Sequence, residues 1–249
     1  MQLIKLLKCT NCYGNLTKKN QSLHCKKCDL HFPIIKNIPA FASANLLSTL
    51  LKKSQKEYDK IHQKPWDHLR DGSYEILASF ARGNRTLDVA CGDGYVEHLS
   101  PKTVGLDFSL AALIKAKKNG ARFLVQATAE ALPFKDNAFD LVICAGSLEH
   151  FGDPEKAISE MARVARIQIL TVHSSIPGHN LATRILNIKH QPIEKPIGMR
   201  KLEQMLKRTG LQVVYKGVWT LPVNYGRVIP FLPELTSIPS SSFTICIKK

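Results

Sequence analysis

Residues 86–96 read TLDVACGDGYV, a short apolar run followed by two glycines. The run predicts a buried strand over residues 85–90, and Gly92 and Gly94 predict a turn from that strand into a helix near residues 94–99. Glycines at such a turn let backbone amides approach a ligand, because no side chain stands in the way. Ligands of open α/β sheets bind where strands end, so this stretch predicts a ligand-binding loop.

An acidic residue closes the next predicted strand, residues 103–107. Asp107 stands fifteen positions after Gly92, where a carboxylate can accept hydrogen bonds from both hydroxyls of a ribose. An alternative is that Asp88 and Asp107 only cap the helices that follow them, with Ser109 competing for the second cap. A nicotinamide-binding fold fits less well, since no third glycine follows at the G-x-G-x-x-G spacing and the acid comes before the roughly 20 residues expected.

Strands and helices alternate along most of the chain, and this alternation predicts an α/β fold. It implies a mostly parallel sheet of seven strands, covered by helices on both faces, with an antiparallel strand at the end. Prolines and a glycine within residues 176–197 predict a loop-rich insert over the ligand-binding end of the sheet. The other predicted strands are 122–126, 139–145, 167–173, 211–216 and 242–247, and the other predicted helices are 74–82, 109–118, 154–165 and 199–209.

The residues from 74 to 175 resemble the class I S-adenosylmethionine (SAM)-dependent methyltransferases, particularly the subgroup that includes the ubiquinone and menaquinone biosynthesis methyltransferases. Residues 87–94 match the family's D-x-G-x-G-x-G loop, and Asp107 matches its ribose-binding acid. Three later segments also resemble the family in order: the adenine-lining segment, the exit of the fourth strand and the helix after it, at residues 127–140, 141–151 and 153–164.

The resemblance implies a Rossmann-like fold, SAM as the cofactor and a set of residues that bind it. Two departures affect this set. Ala90 replaces the first loop glycine, which a small residue should tolerate, and Thr128 stands where the family often has an aspartate, so adenine contacts are expected from the backbone near Ala129 and Glu130. The predicted cofactor-binding residues are Asp88, Ala90, Gly92, Gly94, Asp107, Phe108, Ala129, Glu130 and Ala145.

Four cysteines near the start of the chain form two C-x-x-C pairs separated by twelve residues. Four thiolates so spaced can surround Zn²⁺ as a tetrahedron, and a closed four-sulfur shell leaves no position for water, so the predicted zinc is structural. A module of about 40 residues buries little apolar area, so metal binding must supply much of its folding free energy. His24 and His31 are weaker alternative ligands. The predicted zinc ligands are Cys9, Cys12, Cys25 and Cys28.

This cysteine module resembles the zinc-ribbon activator protein of tRNA methyltransferases and the ribbons fused to many bacterial and archaeal methyltransferases, with residues 32–34 and 37–39 contributing to the likeness. A comparable ribbon helps certain ribosomal-RNA guanine methyltransferases hold RNA. The predicted organisation is a zinc ribbon over residues 1–43, a linker helix region over 44–70 and a methyltransferase domain over 71–249.

The composition sets limits on location and partners. No stretch approaches the roughly 18 apolar residues of a membrane span, and the opening apolar run is too short for a signal peptide, which predicts a cytoplasmic protein. Cys91, Cys144 and Cys246 stand singly in apolar runs, unlike a disulfide framework. The net charge of +15 favours an anionic partner such as RNA. Because this charge is spread along the chain, a lysine-rich solvated surface also explains it.

Methyl transfer is an in-line displacement at a sulfonium carbon, so a general base is needed only if the acceptor must lose a proton. His150, after the predicted fourth strand, is the first candidate base, and His173, at the end of the fifth, is the second. Trp219, Tyr225 and Arg227 could line an acceptor pocket. The preferred partner is a small-molecule acceptor. The alternatives are an RNA methyltransferase and a non-catalytic SAM-binding scaffold protein, and the oligomeric state stays open.

Overall fold

The structure is a computed structural model that describes residues 2–42, 49–61, 72–173, 197–222 and 237–249. The predicted insert at residues 176–197 lies almost wholly outside these ranges, as do Tyr225 and Arg227. The α-helices in the described ranges are α1 (Thr49–Ile61), α2 (Ser73–Ala81), α3 (Tyr95–Leu99), α4 (Leu110–Lys118), α5 (Pro154–Val164) and α6 (Met199–Arg208), and the strands are β1 (Leu16–Lys19), β2 (Ser22–Cys25), β3 (His31–Ile35), β4 (Ile38–Pro39), β5 (Thr86–Val89), β6 (Val104–Asp107), β7 (Phe123–Gln126), β8 (Phe139–Ala145), β9 (Ala165–His173), β10 (Leu211–Pro222) and β11 (Ser237–Lys248).

Seven of these strands form one sheet in the order β10-β11-β9-β8-β5-β6-β7. The five strands from β9 to β7 are parallel, and β11 pairs antiparallel with both β9 and β10. The central strands β5 and β6 are buried along their whole length, as expected for parallel strands covered on both faces. The predicted Rossmann-like, seven-stranded and mostly parallel sheet is therefore confirmed.

The last two strands are longer than the sequence pattern predicts. β10 continues past residue 216 to Pro222, and β11 begins at Ser237 instead of residue 242. Each strand is longer because it pairs with the other. Their backbone pairing runs along β10 from Leu211 to Pro222 and contains two register shifts. Trp219 consequently lies within β10, where its ring stacks on Phe243 with centroids 4.3 Å apart. Trp219 therefore packs against a neighbouring strand of the sheet.

The N-terminal module, residues 2–42 with strands β1 to β4, packs directly against the β7 edge of the seven-stranded sheet, here called the large sheet. Its four strands pair antiparallel in chain order, and Ala40 bridges Gln126 on the edge strand β7. The amide of Phe41 donates to the carbonyl of Gln126 at 2.7 Å. These contacts cover the Gln126 end of β7, where the edge strand would otherwise offer unpaired backbone groups.

The module and the large sheet also share one hydrophobic core. Leu7, Leu23 and Phe32 belong to the same buried cluster as Val125 and Phe134 from the sheet side. Backbone hydrogen bonds from Lys8 to Pro133 and from Lys135 to Leu6, both 2.9 Å, fix the contact. Loss of the module's structure would therefore expose apolar surface on the side of the large sheet as well.

Candidate functional site

The glycine loop lies between β5 and α3, at the carboxyl end of the parallel strands. Gly92 and Gly94 have φ values of 53° and 77°, and Ala90 has φ 63°. All three therefore adopt the left-handed conformation, which glycine reaches without strain and alanine reaches at a cost of about 1 kcal/mol. The sequence predicts that a small residue is tolerated at position 90. In the structure Ala90 occupies this position with a strained, left-handed backbone.

Gly94 also stands where a side chain has no room. A Cβ atom at this position would lie 2.7 Å from the Cβ of Ala116 on α4. We expect Gly94→Ala to lower the free energy of unfolding by about 2–4 kcal/mol, because a clash is added to an unfavourable φ. Gly210→Ala is the matched control: its φ is 75° and nothing lies within 4 Å, so a loss of only about 1 kcal/mol is expected in denaturant unfolding. Equal losses would contradict the packing argument.

Asp107 connects the loop to the end of β6. One carboxylate oxygen accepts a hydrogen bond from the amide of Gly92 at 2.9 Å, and the other accepts from the amide of Ser109 at 2.8 Å. The side chain is only 8% exposed. Ser109 itself caps α4 by accepting from Ala112, so Asp107 is not the cap of that helix. The acid instead holds the glycine loop in place.

Two further buried acids lie next to this carboxylate. Burial raises the pKa of Asp88 well above its usual range, and the nearby carboxyl groups of Glu97 and Asp107 raise it further. Glu97 is fully buried, and within the described ranges neither of its oxygens has a hydrogen-bond partner. Burial is the main cause that raises the pKa of Glu97, to about 8. The sequence analysis did not single out Glu97, although an acid on the sheet-facing side of a short helix was a visible signal.

The raised pKa of Glu97 predicts a pH-dependent stability. Between the ordinary value of 4.5 and about 8, the folded state keeps a proton that the unfolded state has lost. Stability therefore falls as pH rises through this window, by about 1.4 kcal/mol per pH unit. We expect Glu97→Gln to remove a slope of this size in chemical unfolding measured from pH 5 to 8. The exposed acid Glu75 provides the control Glu75→Gln, which should keep the wild-type slope. An unchanged slope in Glu97→Gln would contradict the assignment.

Helix α1 packs beside the same end of the sheet. Gln55 donates from Nε2 to the carbonyls of Ala42 and Phe108, both at 3.0 Å. Asp59 accepts from the hydroxyl of Ser109 at 2.5 Å and from the amide of Ala111 at 3.1 Å. The predicted linker helix thus fixes the backbone of Phe108, one of the predicted cofactor-binding residues. The pattern of apolar residues in this helix does not predict the contacts of Gln55 and Asp59, because it indicates only which face of the helix is apolar.

The remaining predicted cofactor residues follow β7 and end β8. Ala129 is buried. The Oε1 atom of Glu130 accepts from the amides of Gly152 and Asp153 at 3.0 and 3.3 Å, so its side chain ties this segment to the start of α5. Ala145 is the last residue of β8. Because β5 to β8 are parallel, all of these residues lie at one edge of the sheet.

The two candidate bases lie at the ends of adjacent strands. His150 ends a short 3₁₀ turn, Leu148–His150, just after β8. His173 is the last residue of β9, and its backbone pairs with Ser241. The structure describes the backbone of His173 but not its side chain. Both histidines therefore belong to the ligand-binding edge of the sheet.

The four N-terminal cysteines come together as one cluster. Cys9 and Cys28 have sulfurs 3.5 Å apart, Cys12 and Cys25 have sulfurs 3.4 Å apart, and all four sulfurs lie within 4.8 Å of one another. Zinc with Zn–S bonds of about 2.3 Å places sulfurs about 3.8 Å apart. The Leu30 amide lowers the pKa of Cys28 to about 6, whereas burial raises that of Cys9 to about 12. The donor set therefore fits a structural zinc ion, which would keep all four sulfurs deprotonated.

Comparison with known proteins supports the assignment of the large sheet. Residues 87–168 match the family model described as a methyltransferase domain. This match supports a methyltransferase domain built on the large sheet. The matched residues run from the strand before the glycine loop to the middle of β9, so they include the loop and Asp107.

The proteins similar in sequence to this chain include one named as a hydroxylase and one named as a methyltransferase. The mouse mitochondrial protein called arginine-hydroxylase NDUFAF5 is 24% identical over an alignment of 224 residues, and the alignment covers 80% of this chain and 64% of that protein. A demethylmenaquinone methyltransferase from Renibacterium salmoninarum is 39% identical over 90 residues, 34% of this chain and 38% of that protein. The chain thus spans under two thirds of the length of either relative.

Solved structures share the fold of the large sheet at low sequence identity. A SAM-dependent methyltransferase from Thermotoga maritima has a TM-score of 0.59 at 19% identity and covers 80% of this chain and 99% of its own. A chain from the complex of the Haloferax volcanii Trm112 methyltransferase activator with a methyltransferase has a TM-score of 0.59 at 16% identity, covering 78% and 96%. Within the described ranges, no helix is long and apolar enough to cross a membrane.

Proposed function

We propose that this protein transfers a methyl group from SAM to a small-molecule acceptor such as a quinone, a lipid or another metabolite. The observation that carries the proposal is the joining of Asp107 to the glycine loop by the 2.9 Å hydrogen bond from Gly92. This bond places a carboxylate and a set of left-handed backbone residues at the ligand-binding edge of the parallel sheet. The match of residues 87–168 to a methyltransferase domain supports the same conclusion.

SAM would supply a methyl group on a positively charged sulfur, which makes the leaving group ready to depart. The chain's own residues have to bind SAM, align it with the acceptor and exclude water from the site. Asp107 would accept from the ribose hydroxyls, the loop from Ala90 to Gly94 would hold the amino-acid end, and the backbone near Ala129 would line the adenine. His150 or His173 would take a proton from the acceptor where its chemistry requires it.

The small-molecule acceptor is supported by relatives whose names describe quinone chemistry. Besides the demethylmenaquinone methyltransferase, a 2-methyl-6-phytyl-1,4-hydroquinone methyltransferase from rice is 34% identical over 110 residues. That match spans 41% of this chain and 32% of the rice protein. A quinone or hydroquinone acceptor is therefore the first class to test.

An RNA acceptor is the second candidate, and the exposed lysines of the N-terminal module favour it. Lys18, Lys19, Lys26 and Lys27 are all exposed, and they would contribute to phosphate binding. Lys117 on α4 donates to the carbonyl of Lys36 at 2.7 Å, which brings the basic end of that helix against the module. A steep loss of affinity with added salt would support this candidate.

A third possibility is that the domain binds SAM without transferring its methyl group. A fold does not determine a reaction, and the relative named as an arginine hydroxylase has a different reaction in its name. Binding of SAM at the glycine loop is the property that all three candidate functions share.

Incubation with radiolabelled SAM would separate these candidates. The full chain would be supplied in parallel with total RNA and with a lipid and metabolite extract, with Asp107→Ala as the inactive control. Label in the organic extract, absent with the control, is the expected result. Label in RNA would replace the small-molecule proposal by the second candidate, and calorimetric binding of SAM without any transfer would replace it by the third.

We also propose that Cys9, Cys12, Cys25 and Cys28 hold structural Zn²⁺, as their sulfur separations and the donor set support. The division into a ribbon over residues 1–43, a linker region over 44–70 and a methyltransferase domain over 71–249 stays a prediction, as does the cytoplasmic location. Metal analysis of the full chain by mass spectrometry after mild dialysis tests the zinc directly. A chain that folds fully without any metal would contradict it.

A further inference from the structure

A second group of metal-binding residues lies on the N-terminal module, separate from the four cysteines. His24, Asp29 and His31 each offer one nitrogen or oxygen atom, and these atoms all lie within 4.8 Å of one another. The Nε2 atom of His24 is 2.7 Å from an oxygen of Asp29. The imidazole rings of His24 and His31 stack with centroids 4.3 Å apart and an interplanar angle of 18°.

The module's backbone brings these three residues together. His24 on β2 and His31 on β3 are direct partners across an antiparallel pair, so their side chains emerge on the same face. Asp29 follows Cys28 and has φ 59°, a conformation that aspartate tolerates better than most residues. Its amide donates to the carbonyl of Cys25 at 2.8 Å. The turn that would carry two zinc ligands therefore also sets the position of Asp29.

The ring of His24 is held more tightly than a surface histidine would be. It is only 8% exposed, and its Nδ1 atom is buried with no hydrogen-bond partner in the part of the chain that the structure describes. Asp29 is thus the polar group that orients the ring, through the 2.7 Å contact at Nε2. Asp29 and His31 are exposed, so their side chains can rotate to complete a coordination shell around a fixed first ligand.

We propose that His24, Asp29 and His31 form a second divalent transition-metal site, distinct from the cysteine cluster. Two imidazoles and one carboxylate are ligands that suit Zn²⁺ and its neighbours in the first transition row. In a tetrahedral shell with Zn–N bonds of about 2.0–2.1 Å, ligand atoms lie about 3.4 Å apart, so the exposed side chains of Asp29 and His31 would rotate to reach these separations from the present ones, which are all within 4.8 Å. Three protein ligands leave at least one coordination position open to solvent, unlike the closed four-sulfur shell.

The buried Nδ1 of His24 indicates a site of moderate affinity. A histidine that binds metal through one nitrogen carries its proton on the other, and strong sites give that proton an acceptor. No such acceptor is present among the described residues. We therefore expect the second metal ion to exchange readily, while an ion in the cysteine cluster is retained.

Calorimetric titration of the zinc-loaded full chain with Zn²⁺ tests the proposal. The wild type is expected to bind one further equivalent. His31→Ala removes an exposed ligand, and Asp29→Asn removes the charge while keeping a residue type that tolerates a positive φ. Both variants are expected to lose the further equivalent. His98→Ala, which removes an exposed histidine on α3, is the matched control and should bind as the wild type does.

The wild type is expected to bind one more equivalent of Zn²⁺ than His31→Ala, whether or not the cysteine cluster already holds zinc. The result thus separates the two metal sites, and it is independent of the proposed methyl transfer. Absence of a further equivalent in the wild type would overturn the proposal. Equal uptake by the wild type and by both ligand variants would also overturn it, and would identify His24 and Asp29 as a purely structural hydrogen-bonded pair.

Discussion

Asp107→Ala is expected to weaken SAM binding by at least about a hundredfold, which corresponds to about 2.7 kcal/mol. The carboxylate accepts from the amides of Gly92 and Ser109, and hydrogen bonds to a charged group contribute about 1.5–3 kcal/mol each. Alanine would leave both donors without this acceptor and would release the glycine loop from β6. It would also remove the proposed contact with the ribose hydroxyls.

Calorimetric titration with SAM and with its demethylated product measures this effect. Asp107→Asn should bind with intermediate affinity, because an amide oxygen can replace only one of the two carboxylate acceptors. Asp140→Ala is the matched control. The side chain of Asp140 is 44% exposed and pairs with Arg85 at the opposite end of β8, and a partly exposed pair of this kind contributes about 1 kcal/mol or less. Unchanged affinity in Asp107→Ala, with the fold intact by circular dichroism, would remove the basis of the proposed function.

Cys25→Ser is expected to lower the free energy of unfolding by at least about 3 kcal/mol, and Tm by about 6–12 °C. Cys25 is fully buried and its sulfur lies 3.4 Å from that of Cys12. Loss of one sulfur weakens the proposed zinc site, whose binding energy is part of the folding energy of the module. Since Leu23 and Phe32 share a core with Phe134, the loss of stability is expected to reach the large sheet.

Thermal unfolding with and without a strong chelator distinguishes the metal from simple packing. The chelator should lower the Tm of the wild type towards that of Cys25→Ser and should leave the variant unchanged. Cys246→Ser is the matched control, because Cys246 is equally buried but lies on β11 away from the cluster. If the chelator acts equally on wild type and Cys25→Ser, the four cysteines do not hold the stabilising metal.

The sequence by itself determined the elements that depend on local pattern. The apolar run before Gly92, the acid at position 107 and the spacing of the four cysteines each lie within a short segment, and hydrophobic periodicity located the seven strands of the large sheet. Alternating strands and helices admit few arrangements, because parallel neighbours need a crossover helix. The fold class and the position of the ligand-binding edge therefore follow from the residue order.

Only the tertiary structure decided how distant segments meet. The contacts of Gln55 and Asp59 with the start of α4, the burial of Glu97 beside Asp88, and the attachment of the N-terminal module to β7 each join segments that no local pattern relates. The meeting of His24 with His31 depends on strand register in the same way, since a shift of one residue would turn one ring to the opposite face. Such contacts depend on the free energy of packing the whole chain, whereas a periodic pattern reports only which side of one element is apolar.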